Sequence, residues 1–582
     1  MLFTGDFETT TDIDDCRVWA WALCEIGNTE NFLYGNSIDS LMKLLFSFKD
    51  KVTVYFHNLK FDGEFIIYWL FKNNYKFNSE RKYLKENEFT TLISDRGVFY
   101  SIEICYYKNG SNKKVLKILD SLKILPFSVE EIAKAFSLPI SKLKIDYKEK
   151  RKIGHELTKI EIDYIRNDVT ITALGIEKLF EQGLTKMTTG SNALEEYKKI
   201  VGKKKFRKWF PPPVYDEDIR QSYRGGFTYL NPLYKNKDIG EGIVLDVNSL
   251  YPSVMYYNKL PYGEGIYFEG EYIKDEVYNL YVQMFSCQFK LKKNKIPTVQ
   301  LKNNLAFIPT EYILSSNDEY VTMCMTNVDL ELFFNHYEVF DINYISGWKF
   351  KSSDKLFRDY IDKWNDIKVT ATKEKNKPMR TISKLMLNSL YGKFALNPNI
   401  KSKYPYLGED DIIHYSFGKQ EIREPIYIPV GTFITSWARY KTITSAQKVI
   451  ERFIYADTDS LHLIGCDIPS ELEISETELG KWKIESYFKR ARFLRQKSYI
   501  EDIYSSKEEI EKYVLENPEL INHIDLNNNT ILNITCAGMP NSCYKYVNWN
   551  NFKTGNEIGG KLKISHTSGG IVLIDSPHTL RK

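Results

Sequence analysis

Tyr455-Ala456-Asp457-Thr458-Asp459-Ser460 lies between the runs Arg452 to Tyr455 and Leu461 to Ile464, and its reading decides the fold. The flanks predict the two arms of a β-hairpin with the acids at its tip. Side chains alternate faces along a strand, so Asp457 and Asp459 can point the same way and share a divalent cation. Without a cation the pair repels itself at a cost. A solvated acidic turn is the plain alternative. A calcium loop is excluded, because counting from Asp457 the sixth and twelfth positions are His462 and Ile468, where an EF-hand needs Gly and Glu.

Further upstream, Asp246 follows the apolar stretch Gly242 to Leu245 and opens Asp246-Val247-Asn248-Ser249-Leu250-Tyr251-Pro252. Between the two acidic segments, Arg380-Thr381-Ile382-Ser383-Lys384-Leu385-Met386-Leu387-Asn388-Ser389-Leu390-Tyr391-Gly392 has helical periodicity. At 100° per residue, Arg380, Lys384, Asn388 and Tyr391 fall within about 80° of one another, with most apolar residues opposite. Such a stripe fits a solvated helix face, and it also has the cations that a triphosphate needs.

A second set of acids sits near the N-terminus. In Phe3-Thr4-Gly5-Asp6-Phe7-Glu8-Thr9, strand alternation puts Asp6 and Glu8 on one face. Asp62, in His57-Asn58-Leu59-Lys60-Phe61-Asp62-Gly63, follows the strand-like Val52 to Phe56. Asp168 closes Tyr164-Ile165-Arg166-Asn167-Asp168, whose i, i+4 spacing sets Tyr164 beside it on a helix. Four carboxylates from three segments can hold two Mg²⁺ ions about 3.5 to 4 Å apart, which activate water and stabilise a departing oxygen. Tyr164 could orient that water.

The 582 residues exceed one core and suggest about three to five folded units. Apolar content of 43% and aromatic content of 14% argue against disorder. With a net charge of only +4, any nucleic-acid surface has to be local. Two basic clusters qualify, Lys198 to Lys208 and Lys481 to Lys497. Each is interleaved with rings (Phe206 and Trp209, Trp482 and Tyr499) on which bases could stack. The eight cysteines lack a C-x-x-C pair, the start reads Asp6 and Glu8 where a signal peptide would be apolar, and no run approaches 18 apolar residues. A reduced cytoplasm and no membrane span are expected. Without a zinc-type histidine cluster, oxygen-ligated Mg²⁺ is the expected metal, with Mn²⁺ as a substitute.

In order and wording, the segments at Asp246, Arg380 to Gly392 and Tyr455 to Ser460 resemble the polymerase motifs of family B DNA polymerases, in particular the protein-primed enzymes of small tailed bacteriophages. Those at Asp6, Asp62 and Asp168 resemble the three motifs of DnaQ-like 3′-5′ exonucleases. The likeness covers essentially the whole chain. It implies an α+β multidomain fold: an RNase-H-like exonuclease domain, and a right-hand polymerase with antiparallel-sheet palm, helical fingers, small thumb and two insertions of the protein-priming type.

Carried over residue by residue, the resemblance implies that Asp246 and Asp459 ligate both polymerase metals, that the Val247 carbonyl ligates one, and that Asp457 supports them. Lys384 would neutralise the triphosphate, helped by Arg380, where the family often has lysine, and by Lys368. Tyr251 and Tyr391 would floor the nucleotide pocket beside Asn388 and Gly392, leaving no room for a 2′-hydroxyl. Lys497 and Tyr499 would grip the primer terminus. Tyr223-Arg224-Gly225-Gly226 would hold the primer strand between the two centres. Thr9, His57, Asn58, Phe61, Phe65, Ser121 and Leu122 match positions that hold a frayed single strand, and Lys142 matches a lysine that assists the exonuclease.

The implied layout is exonuclease 1–188, palm 189–259, first insertion 260–357, fingers 358–395, second insertion 396–423, palm 424–536 and thumb 537–582. Pro211-Pro212-Pro213 punctuates the exonuclease–polymerase junction. The first insertion would dock a terminal protein that supplies the priming hydroxyl, and the second would enclose DNA and promote strand displacement. Implied partners are primer-template DNA, dNTPs, the terminal protein and a phage single-stranded-DNA-binding protein. A monomer in the cytoplasm of an infected bacterial host follows from the same likeness. Competing readings are a nuclease whose C-terminal half only holds DNA, a replication scaffold with inactive sites, and reverse transcriptases or family A polymerases, whose motifs differ.

Overall fold

The computed structural model describes residues 1–110, 112–147, 149–300 and 312–581. Residues 301–311 of the expected first insertion lie outside them.

Strand Leu2–Thr9 is central to an eight-stranded mixed sheet. It pairs antiparallel with Val18–Glu25 and parallel with Thr53–Phe56. Its alternation divides the labour. Phe3 and Phe7 enter one apolar core, while Thr4, on the opposite face, donates 2.7 Å to the Val169 carbonyl of helix Lys159–Glu181. That helix starts at a capping box, Thr158 with Glu161, which satisfies the first free N–H groups. It thereby fixes the turn carrying Tyr164 and Asp168.

The second sheet has nine strands. Gly242–Val247 lies between Ser460–Ile464 and Trp482–Arg495, antiparallel to both, and Phe453–Asp457 closes the hairpin predicted from the acidic hexapeptide. Helix Ile428–Lys448 packs behind it. Most of this helix is buried and it carries Thr and Ser on several faces, because it is clamped between the hairpin and the first insertion. An amphipathic stripe is therefore missing, which hides the helix from periodicity.

The expected fingers are helices Arg358–Lys373 and Lys377–Ser389, separated by a turn at Lys375 with φ 56° and restarted by the Asn376 cap and Pro378. The helical reading of Arg380 to Gly392 needs one correction. The helix ends at Ser389 and a short one, Tyr391–Phe394, follows. The described residues of segment 260–357 include a four-stranded sheet and helix Asn327–His336, and 396–423 forms the hairpin Asn399–Leu407/Ile413–Ile422.

The core does not divide where the basic cluster and prolines suggested a junction. Ile124, Leu125, Ile171 and Leu179 share one apolar cluster with Ile243, Leu245 and Met386. Tyr197 and Phe210 bridge them, the Tyr197 ring stacked 4.9 Å from Phe357. Likewise Phe552, Ile558 and Leu580 of the C-terminal segment share a core with Leu494 and Ile500 of the sheet.

Three separate modules meet at Asp411, in the turn of hairpin 399–422. Its carboxylate accepts from Tyr68 (2.7 Å) and Lys72 (3.0 Å) of helix Leu59–Lys72, and from Ser568 (2.6 Å) in the turn of the C-terminal hairpin Glu557–Thr567/Gly570–Thr579. Nearby, Glu64 of the same helix is buried against Tyr415 and His566, again one residue from each module; burial pushes its carboxyl up to about 7. The three modules thus meet at one junction.

Candidate functional site

The sheet brings Asp246 and Asp459 together through the backbone. Asp246 is registered opposite Ser460, and the Val247 N–H donates 2.8 Å to the Asp459 carbonyl. Asp246 is pushed up to about 6, first by burial and then by the charges of Asp459 and Glu485. Asp459 is raised as well, chiefly by burial. Lys483, across the sheet from Asp246, places Nζ 3.5 Å from its Oδ1. These are two carboxylates held close at an electrostatic cost, which a cation would relieve.

Asp457 differs. It accepts from Thr228 (3.1 Å), Tyr455 (3.2 Å) and Thr458 (3.3 Å), and Lys497 Nζ lies 3.1 Å from Oδ1. Protein donors already satisfy it. The hairpin turn itself is tight, with Thr458 at φ 58° and its N–H on the Phe227 carbonyl at 2.7 Å. Gly226 makes this approach feasible, since a Cβ there would meet Thr458 Oγ1 at 2.6 Å. The segment Tyr223 to Gly226 is thus seated directly against the acidic hairpin. Arg439, which sequence reasoning missed, holds it: Nη1 donates to the Arg224 and Gly225 carbonyls, both at 2.8 Å, while the guanidinium is forked onto Asp329 of the first insertion.

Opposite the acids, Tyr251 and Tyr391 stack with centroids 4.0 Å apart and planes at 16°. Arg380, Lys384 and Asn388 occupy the exposed side of their helix, with Ile382, Met386 and Leu387 buried. Lys384 is lowered by burial, then by Arg380 and Lys483; Lys368 is lowered by burial, then by Lys384, Arg380 and Lys483. Four cations therefore converge beside two carboxylates. Lys483 was visible in the sequence only as part of a basic run. A Cβ on Gly392 would meet nothing within 4 Å, so no steric need for glycine is evident there.

The N-terminal centre gathers Asp6, Glu8, Asp62 and Asp168. Asp6 is pushed up to about 7 by burial and by Asp168; Glu8 rises through burial, Asp6 and Asp168; Asp62 rises through burial and Asp6. Asp62 Oδ1 and Asp168 Oδ1 are buried without a hydrogen-bond partner. Orphaned oxygens on mutually repelling acids suit a divalent cation. Lys142 Nζ sits on Asp168 Oδ2, and the Tyr164 hydroxyl meets that of Tyr147, a residue that sequence reasoning missed. Among the described residues, no group of three or more acids, imidazoles or thiols is closed tightly enough to cage an ion unaided. Solvent or substrate oxygens would complete any shell.

The expected single-strand contacts separate. Thr9, Asn58, Phe61 and Leu122 reach the surface at least in part. Ser121 and Phe65 are buried, and His57 spends its ring nitrogens on the Phe127 carbonyl (2.7 Å) and Ser121 Oγ (3.0 Å). The polar side-chain atoms of His57 and Ser121 are thus engaged within the protein. Of the stacking rings expected in the basic clusters, Trp209 stays partly exposed, with Lys205 Nζ 4.4 Å from its ring centre, and the others are corrected. Phe206 and Trp482 are buried, and Tyr499 packs on Phe493 at 4.8 Å. Much of the second cluster is ion-paired, as in Arg490–Asp502 and Arg492–Asp238.

A family model described as DNA polymerase type B, organellar and viral, matches residues 46–478. The DNA polymerase of Bacillus phage B103 is 46% identical over all of this chain and 99% of its own length. That of Bacillus phage phi29 is 45% identical over the same shares, and that of Streptococcus phage Cp-1 is 32% identical over all of this chain and 98% of its own. Among solved structures, phi29 DNA polymerase complexed with primer-template DNA and incoming nucleotide substrates superposes with a TM-score of 0.90 at 44% identity, covering both chains fully. The same polymerase complexed with single-stranded DNA also scores 0.90, at 43% identity, again over both full chains.

Proposed function

The chain belongs to the organellar and viral type B DNA polymerases, and we propose that it copies a linear phage genome from a terminal-protein primer, with strand displacement and 3′-5′ proofreading. The observation that carries this reading is the presence of two separate acid centres, Asp246 with Asp459 at the nine-stranded sheet, and Asp6 and Glu8 of the eight-stranded sheet with Asp62 and Asp168 from two helices packed on it. Relatives matched end to end are DNA polymerases, and one is solved with primer-template DNA and nucleotides.

Phosphoryl transfer demands in-line positioning and charge stabilisation more than covalent chemistry. Asp246 and Asp459 would hold a pair of divalent cations, Mg²⁺ or Mn²⁺, with the Val247 carbonyl as a further ligand. When bound, such ions supply the Lewis acidity that makes a 3′-hydroxyl nucleophilic and offset the charge of departing pyrophosphate. Lys384, Lys368, Arg380 and Lys483 draw in the triphosphate. Tyr251 and Tyr391 set the height of the sugar. Lys497 and Tyr455 orient Asp457, which braces the turn and keeps Asp459 aimed inward. In the other centre Asp6, Glu8, Asp62 and Asp168 would hold the second pair, Tyr164 positions the attacking water, and Lys142 lies where negative charge accumulates.

Terminal-protein docking is assigned to the first insertion and DNA enclosure to hairpin 399–422, whose junction with helix 59–72 and the C-terminal hairpin supports the second assignment. Asp459→Ala should abolish dNTP incorporation and spare the exonuclease; Asp6→Ala should do the opposite. Loss or survival of both activities together would defeat the two-centre assignment. Incubation with candidate terminal proteins and labelled dATP, without an oligonucleotide, tests priming: a covalent nucleotide adduct is expected, and its absence with every candidate points to a nucleic-acid primer.

A further inference from the structure

A groove of about 710 Å³ runs beside the root of hairpin 399–422 and takes no part in either centre. One wall is the bend between helices Thr189–Val201 and Lys203–Trp209, made at Gly202 with φ 83°. It contributes Lys198, Lys203, Lys204 and Arg207. The other wall is Glu424, Pro425 and Ile426, the exit of the hairpin. Beside it, Lys393 Nζ reaches Ser191 Oγ at 3.1 Å, close enough to Lys198 and Arg423 that both their charges act on it.

The electrostatics of this groove are unresolved within the chain. Among the described residues, no salt bridge joins a carboxylate to Lys198, Lys203, Lys204, Arg207, Lys393 or Arg423; the adjacent Glu196 is taken by Lys199 and Lys363. Glu195 and Glu424 also line the groove, leaving its wall with an excess of cations. Lysines in the first turn of helix Lys203–Trp209 oppose its dipole, and no side chain caps it. Local stability does not favour such a sequence, and the surface it makes is complementary to a polyanion.

The groove is too small for a duplex and separate from the nucleotide pocket. Phe206 and Phe210 close its floor against Phe394, and neither Tyr251, Tyr391, Lys384 nor Asp246 lines it. A template strand has to reach that pocket, whereas a strand parted at the hairpin has to leave it. We propose that this basic groove binds the displaced, non-template DNA strand through its phosphates as it peels away from hairpin 399–422. The proposal rests on the polymerase reading above and adds a path for the second strand.

A fork substrate tests it: a primed template whose downstream strand carries a 5′ flap with 5-iododeoxyuridine, with the same label placed in the template in a parallel arm. With the full chain, irradiation should crosslink the flap to residues around 198–207. In Lys203→Gln/Lys204→Gln/Arg207→Gln, flap crosslinking should fall at least about fivefold, and the log–log salt dependence of displacement synthesis should flatten by about 2, given roughly 0.7 per phosphate contact on a single strand. Extension on a bare single-stranded template and the melting temperature should match the parent, and Lys203→Arg/Lys204→Arg should retain crosslinking. Unchanged flap crosslinking and displacement in the triple variant would overturn the proposal. So would crosslinking of this site to the template label, or displacement and simple extension falling together. A parent chain that extends neither substrate would refute the polymerase reading itself.

Discussion

Lys497 Nζ lies 3.1 Å from Oδ1 of Asp457, on a carboxylate that Thr228 and Tyr455 also hold. The two acids of the hairpin therefore have unequal work. Asp457→Asn keeps an acceptor for these donors, while Asp459→Asn removes a charge that nothing replaces. The expected outcome is a loss in kcat for Asp459→Asn of on the order of 10²- to 10³-fold, the range for one electrostatic stabiliser at a reacting centre, and a smaller loss for Asp457→Asn. Single-turnover incorporation with saturating dNTP measures both. Lys497→Met should weaken primer use in the same assay while leaving exonuclease turnover intact.

Burial, and then the charges of Asp459 and Glu485, push the Asp246 carboxyl up to about 6. Its charged form is the one that can ligate a cation, so incorporation should be full above this pH and fall as the pH drops through it. Raising Mg²⁺ should push that acidic limb lower, since cation binding and protonation compete. Lys483→Met removes a charge that lowers the pKa and should move the limb upward. pH–rate profiles of the parent and of Lys483→Met at two metal concentrations read the limb and both shifts.

Asp411 ties helix Leu59–Lys72, hairpin 399–422 and the C-terminal hairpin together. Asp411→Ala cuts all three contacts in an exposed setting. Incorporation of a single nucleotide should stay at the parental rate, while product length after one binding event should shorten severalfold, more so at high salt. Extension in the presence of a trap DNA shows whether the junction holds the chain on its substrate.

Tyr251 lies flat on Tyr391, 4.0 Å away. Replacing it with Val removes the ring beneath the sugar, and ribonucleotide incorporation relative to deoxyribonucleotide should rise on the order of 10²-fold, the scale of discrimination by pocket shape. Competition between dATP and ATP on one template measures the ratio.

Much of this was legible because it is local. The alternation around Asp6 and Glu8, the hairpin with acids at its tip and the polar stripe Arg380, Lys384, Asn388 each follow from short-range periodicity. The shared face expected for Asp457 and Asp459 does not, because the strand ends at Asp457 and the left-handed Thr458 puts Asp459 in the turn. Non-local pairings were not legible. Arg439 meets Asp329 and the Arg224 carbonyl only after the first insertion folds back on helix Ile428–Lys448. Lys483 faces Asp246 only through a strand register. Burial misled in the other direction: Phe206 and Trp482 sit among lysines in sequence, yet their rings turn inward to fill the core. The continuity of that core across Tyr197 and Phe210 likewise could not be read from the prolines that follow.

The most direct test of the polymerase centre is an anomalous difference map from crystals of the full chain grown with primer-template DNA and soaked in Mn²⁺. A peak at coordination distance from both Asp246 and Asp459, lost in Asp459→Ala, is the expected result. Manganese bound elsewhere, with none between these two carboxylates, would contradict the account.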